Sequence, residues 1–127
     1  MIKDVLLVGL GGGLGALGRY GLGLLIIRWF GTGFPWATLA INLIGCLLIG
    51  MALGAGPSQA GFLSRDLRLF GVVGVLGAFT TFSTFGYETI SLLNGGKPAL
   101  AAAYVLSSVI LGLGAVALGI LATRGLA

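Results

Sequence analysis

The run Gly74-Val75-Leu76-Gly77-Ala78-Phe79-Thr80-Thr81-Phe82-Ser83-Thr84-Phe85-Gly86-Tyr87-Glu88 decides the fold. It lies inside an apolar segment long enough to cross a bilayer, yet it is built unlike a plain membrane helix. Thr80, Thr81, Ser83 and Thr84 are poor helix formers whose hydroxyls bond nearby backbone. Gly77 and Gly86 allow backbone shapes that other residues resist. Irregular backbone at membrane depth is tolerated only where protein buries it or water lines it. The run therefore predicts a membrane helix broken near the bilayer centre, and broken helices mark ion sites. Phe79, Phe82 and Phe85 recur every third residue and would share one stripe of a helix. The competing reading is an unbroken Ser/Thr-rich helix packed closely on its neighbours, with the phenyls toward lipid.

Outward from this run the chain resolves into four apolar spans, at about residues 5–29, 36–55, 67–93 and 99–123. Each reaches or exceeds the ~20 residues needed to cross the hydrocarbon core. The first is interrupted only by Arg19 and is too long for a signal peptide. Between the spans lie a tight loop from Arg28 to Pro35, a loop from Gly56 to Asp66, and the turn Asn94-Gly95-Gly96-Lys97-Pro98. Trp36 is placed as an interfacial anchor. The fold class is an all-α membrane protein of four transmembrane helices, one domain over residues 1–127.

Composition excludes much else. The chain is 57% hydrophobic and 8% charged, with a mean hydropathy of +1.14, which is a membrane composition. Its 25 glycines, without Pro-rich or repeat character, point to close helix contacts. Small residues at 9, 12, 13 and 16 fit a helix-packing face rather than a dinucleotide fingerprint, because no strand precedes them. No nucleotide is expected as a partner. Cys46 is the only cysteine and histidine is absent, so an internal disulfide is impossible and a metal cluster is not expected. The net charge of +4 is scattered along the chain, unlike the clustered patch of a nucleic-acid binder. No nucleophile–base pair stands out, so an enzyme is not expected.

Charges near the span ends are only weakly biased. Lys3, Arg65, Arg68 and Arg124 lie on the side of the termini, Arg28 and Lys97 on the other. The termini side is weakly favoured for the cytoplasm, a bias small enough for insertion in both orientations.

Helical rise converts position into depth. Arg19 lies roughly 13 Å in from Arg28, Asn42 about 9 Å in from Trp36, Phe85 about 13 Å in from Asn94, and Ser108 about 14 Å in from Ala99. Polar or aromatic groups from all four spans thus fall in one band, and intramembrane polar groups tend to mark function. Arg19 is a fixed positive charge, the Asn42 amide and the Ser108 hydroxyl are donors, and phenyl rings carry a positive edge. That chemistry suits an anion. Glu88 is the one deep acid, expected to pair with Arg19 or cap a helix. Simpler roles are snorkelling for Arg19 and interhelical bonding for Asn42.

Four stretches, covering nearly the whole chain, resemble the Fluc (CrcB) fluoride channel family. They are residues 12–20 (Gly12-Gly13-Leu14-Gly15-Ala16-Leu17-Gly18-Arg19-Tyr20), residues 38–45 around Asn42, residues 77–85 followed by Glu88, and Tyr104 with Ser108. The third is the specific one. The resemblance implies a small antiparallel, dual-topology homodimer in the cytoplasmic (inner) membrane, with two fluoride pores that export the ion passively. It implies that Asn42 hydrogen-bonds fluoride, that Phe82 and Phe85 present ring edges to it, and that Ser83, Thr84, Tyr104 and Ser108 line the path. Arg19 would make the vestibule electropositive. Gly77 and Thr80 match positions whose backbone carbonyls hold a structural Na⁺ at the dimer interface. A helix that left its pattern over Gly77-Ala78-Phe79-Thr80 would free such carbonyls, and symmetry mates would complete a neutral oxygen cage. Ala37 stands where a glycine is common, and Cys46 where a small hydroxyl residue is common.

Two other readings compete. A small multidrug transporter is also a four-span antiparallel dimer, but it needs a carboxylate in the first span, where this chain has Arg19 and no acid. A non-conducting assembly subunit explains the glycine faces but not the polar band.

Overall fold

The computed structural model describes residues 1–54 and 63–124, and every secondary-structure element among them is a helix. Helix α1 is Ile2–Phe30 and α2 is Trp36–Gly54. The third span, Arg65–Asn94, is composite: α3 (Arg65–Leu67), a π-helix (Arg68–Leu76), α4 (Gly77–Phe79) and, after a break, α5 (Phe82–Asn94). Helix α6 is Pro98–Arg124. All four spans are long and apolar enough to cross a membrane. The predicted spans are reproduced to within a few residues at their described ends; Ala55 and the loop residues Pro57, Ser58 and Gln59 lie outside the described residues.

The turns obey local chemistry. Gly31 and Gly96 hold positive φ, 72° and 70°, where a side chain would be strained. Ser64 caps α3, its hydroxyl accepting from the Leu67 N–H. At the same end of the molecule the Arg65 guanidinium donates to both carboxylate oxygens of Asp4, at 3.0 and 2.8 Å, and Lys3 pairs with Asp66. These exposed pairs tie the start of α1 to the start of the third span.

Packing runs through backbone rather than side chains. Helix α1 lies against the π-helix and α4, while α2 lies against α6. A Cβ on Gly11 would strike the Phe70 carbonyl, and one on Gly15 the Val75 carbonyl. Gly50 meets Val116 and Gly119 meets Leu47 in the same way. The face on α1 is therefore Gly11, Gly15 and Gly18, one and two turns apart, not the predicted 9, 12, 13 and 16. Gly9 and Gly13 have open space beside them, and Gly12 only grazes Ala78. Few hydrophobic side chains are buried, among them Leu39, Ile41 and Tyr104. The outward Leu, Ile and Val side chains of α1 and α6 form the surface that lipid covers in a membrane protein.

Candidate functional site

The break falls at Thr80 and Thr81. Both are extended, with φ/ψ of −81°/160° and −153°/120°. The prediction placed Gly77 to Thr80 outside the helix; Gly77–Phe79 is helical, and the non-helical pair is one step further on. The cause is visible in the hydrogen bonds. The Thr80 N–H and hydroxyl both donate to the Leu76 carbonyl, at 3.1 and 3.0 Å, which ends the first half. The Thr81 N–H, which would close the next turn on the Gly77 carbonyl, donates instead to Asn42 Oδ1 at 2.8 Å. Asn42 Nδ2 donates in return to the Thr81 carbonyl at 3.0 Å. Thr81 then caps α5, its Oγ1 accepting from the Thr84 N–H at 3.3 Å. That diverts the N–H that would have closed on the Thr80 carbonyl. The carbonyls of Gly77 and Thr80 are thus both deprived of their usual helical donors.

The break opens a groove of about 410 Å³. Its walls are Asn42, Gly45 and Cys46 of α2; Gly77, Thr80, Thr81, Phe82 and Phe85 of the third span; and Ser108 and Val109 of α6, with apolar neighbours. Asn42, Phe82, Phe85 and Ser108 line this one groove, together with Gly77 and Thr80, which the sequence reading set apart near the midplane. The Ser108 hydroxyl is buried and has no hydrogen-bond partner among the described residues. Asn42 spends one amide N–H on Thr81 and retains a second.

The other predicted residues are arranged differently. Ser83 and Thr84 are exposed beside the groove, and their hydroxyls cluster on Thr81 Oγ1 at 3.2 and 3.0 Å. Tyr104 is fully buried and does not offer its hydroxyl to the groove. It donates to Glu88 Oε2 at 2.6 Å, while Thr38 Oγ1 donates to Oε1 at 2.8 Å. Glu88 therefore finds two hydroxyls rather than Arg19. Arg19 is half-buried on α1, outside the groove lining, and makes no salt bridge among the described residues.

The aromatic stripe is also divided by the break. Phe79 lies against Gly18 and Gly45. Phe82 and Phe85 pair with each other, ring centroids 5.5 Å apart, and Phe85 packs on Tyr104 at 5.1 Å. Phe82 is 83% exposed, so this side of the groove is open in the single chain. Sequence reasoning did not single out Thr81 or Thr38 as site residues. The signal for Thr81 was its place after Thr80 in the run; for Thr38 it was the need of a deep acid for donors.

Fold and groove together define a four-span membrane protein whose interrupted third span frames a polar and aromatic cleft. The chain belongs to the CrcB-like family (CrcB-like protein, Camphor Resistance), whose pattern it matches over residues 6–120. It is 53% identical over 112 residues to a fluoride-specific ion channel FluC of Thermus thermophilus, covering 88% of each chain. It is 46% identical over 119 residues to the protein of that name from Chloroflexus aurantiacus, covering 94% of each. A third, from Beijerinckia indica, is 46% identical over 127 residues, covering 98% of this chain and 99% of the relative.

Proposed function

We propose that this chain forms a fluoride-selective channel that lets the ion leave the cytoplasm passively across the cytoplasmic membrane. The observation that carries the reading is the groove at the break, in a chain about half identical to proteins named fluoride-specific channels. A channel is not an enzyme, and the groove needs only to replace water around an ion. Fluoride leaving water must find donors, since an ion without them is costly to bury. The spare Asn42 N–H and the unpartnered Ser108 hydroxyl are such donors, and Phe82 and Phe85 add ring edges. Tyr104 acts behind them, backing Phe85 while its hydroxyl is held by Glu88. Arg19 contributes charge at a distance. The first-span carboxylate that multidrug exchange needs is missing from α1, where the one acid, Asp4, sits at the helix end in a pair with Arg65.

Fluoride efflux from liposomes holding only this protein tests the reading; no efflux above empty vesicles overturns it. Within the same assay, Phe82→Ile and Phe85→Ile keep bulk and lose the positive edge. Each is expected to slow efflux while the protein stays folded. If both variants conduct like the parent, the phenyls are packing only.

The functional unit is read as an antiparallel homodimer with two pores. The open groove and the exposed Ser83 and Thr84 beside it support it, because polar groups facing lipid are costly. Labelling of a single cysteine placed near Lys97, in a Cys46→Ser background, is expected to find roughly equal copies on each face, as the small charge difference implies. Labelling from one face alone removes the antiparallel arrangement.

A structural Na⁺ fits the donor set. Gly77 and Thr80 carbonyls, stripped of helical donors beside the groove, suit a hard monovalent cation. Bound there, the ion supplies fixed positive charge that attracts anions. Exhaustive removal of Na⁺ is expected to stop efflux reversibly; unchanged efflux in Na⁺-free lithium or potassium media removes the cation from the account.

A further inference from the structure

Four aromatic rings form one continuous row. Phe82 packs on Phe85 at 5.5 Å, Phe85 on Tyr104 at 5.1 Å, and Tyr104 on Phe34 at 5.5 Å. The last contact is edge-on, with an interplanar angle of 80°. Three of these rings belong to membrane spans. Phe34 does not: it sits in the short connection between α1 and α2, outside the groove.

That connection is fastened. Gly31 turns with positive φ, the Trp36 N–H donates to the Phe34 carbonyl at 2.8 Å, and the Phe34 and Trp36 rings pack with centroids 4.6 Å apart, tilted by 52°. Phe34 is thereby held against Tyr104, the ring on which Phe85 also packs. Tyr104 has little freedom left. Its hydroxyl is committed to Glu88, and its ring is in contact with both Phe34 and Phe85.

Phe34 also stands between Tyr104 and water. A second cavity, about 280 Å³, lies near the membrane face opposite the termini. Phe34 and Glu88 line it with Lys97; Tyr104 does not. Removing the phenyl would extend this cavity to the Tyr104 ring and wet the hydroxyl–carboxylate bond.

We propose that Phe34 is a positioning residue for ion conduction: through Tyr104 it fixes the tilt of the Phe85 ring, and so the edge that Phe85 turns to the ion. The inference rests on the reading of Phe85 as a wall of the fluoride path. A ring free to tilt presents its negative face for part of the time, and an anion is repelled by that face. The consequence is a higher barrier in every channel, not fewer channels.

Single-channel recording separates the two. Unitary fluoride current does not depend on how many copies fold, so a merely structural residue leaves it unchanged. Phe34→Leu is expected to lower unitary current roughly three- to tenfold, the span that one aromatic pair covers when its energy acts on a barrier. Phe34→Met, whose unbranched side chain can adapt to the space left by the ring, serves where the leucine variant does not assemble and is expected to behave alike. Phe34→Tyr is expected to restore the current. Trp36→Leu removes the ring that backs Phe34 but leaves the Phe34–Tyr104 contact, and is expected to lower unitary current less than Phe34→Leu does. Parent-level current in both Phe34→Leu and Phe34→Met, with Phe85→Ile impaired, overturns the inference while leaving the path intact. An equal loss in Trp36→Leu also overturns it, since anchoring of the connection would then be the whole effect. Parent-level current in Phe85→Ile removes the underlying reading of the path.

Discussion

Asn42→Asp is expected to reduce fluoride efflux at least a hundredfold in liposomes, with Asn42→Ala close behind. The two substitutions fail for different reasons. Asn42 Oδ1 holds the Thr81 N–H and Nδ2 holds the Thr81 carbonyl, so the amide clamps the break from across the groove. Aspartate keeps the acceptor on the Thr81 N–H and loses both N–H groups, so the one oxygen that replaces Nδ2 lies against the Thr81 carbonyl and faces the ion path. Repulsion between two unit charges ~4 Å apart is about 4 kcal/mol at an effective dielectric of ~20, enough for roughly a thousandfold in rate. Alanine carries no such charge. It leaves the Thr81 N–H and carbonyl without partners, at about 1–3 kcal/mol each, and gives fluoride one donor fewer. Asn42→Asp is therefore expected to be worse for flux, and Asn42→Ala worse for thermal stability in detergent. Efflux near the parent rate in Asn42→Asp would show that the amide serves only to join α2 to the third span.

The prediction depends on a contact that local sequence could not supply. The four spans were legible because run length and apolarity are local quantities: Trp36 starts α2 as placed, and the Asn94–Pro98 turn has the glycines it needs. The existence of a break was legible for the same reason, from four hydroxyl residues between Thr80 and Thr84. Its position was not. The residue that leaves the helix is decided by which N–H Asn42 captures, and Asn42 is 39 positions away.

Helix rotation was equally hidden. Depth follows from counting residues, but facing depends on how neighbours pack. Glu88 was set opposite Arg19 by charge, yet it turns to Thr38 and Tyr104. Tyr104 lies about 7–8 Å in from Ala99, and Glu88 about 9 Å in from Asn94, so the pairing was available to depth arithmetic. On α1 both glycine registers were open to a small-residue rule, and only contact with the third span chooses Gly11 and Gly15. The groove residues fared better because Asn42, Phe85 and Ser108 meet at a shared depth whatever the fine rotation.

Those two glycines carry the other large expected effect. Gly15→Ala is expected to lower the thermal midpoint of the protein sharply, and Gly15→Val to abolish a monodisperse peak on size exclusion. A Cβ at Gly15 meets the Val75 carbonyl oxygen, its carbon at 2.9 Å and the Phe79 N at 3.1 Å, all of them backbone. Backbone cannot rotate away as a side chain does. Helix α1 and the third span must then separate along their length, and overpacking of this kind costs about 1–3 kcal/mol even where the surroundings adapt. The strain also reaches the site, since Val75 and Phe79 lie just before the break that Thr80 and Thr81 make. Gly18→Ala is the matched comparison. It lies on the same face one turn on, and its Cβ would meet only the edge of the Phe79 ring at 3.7 Å, an ordinary contact. That variant is expected to fold and conduct like the parent. A Gly15→Ala protein with the parent's midpoint and efflux would mean that α1 and the third span are not locked through Gly15, and that the register of this contact is wrong.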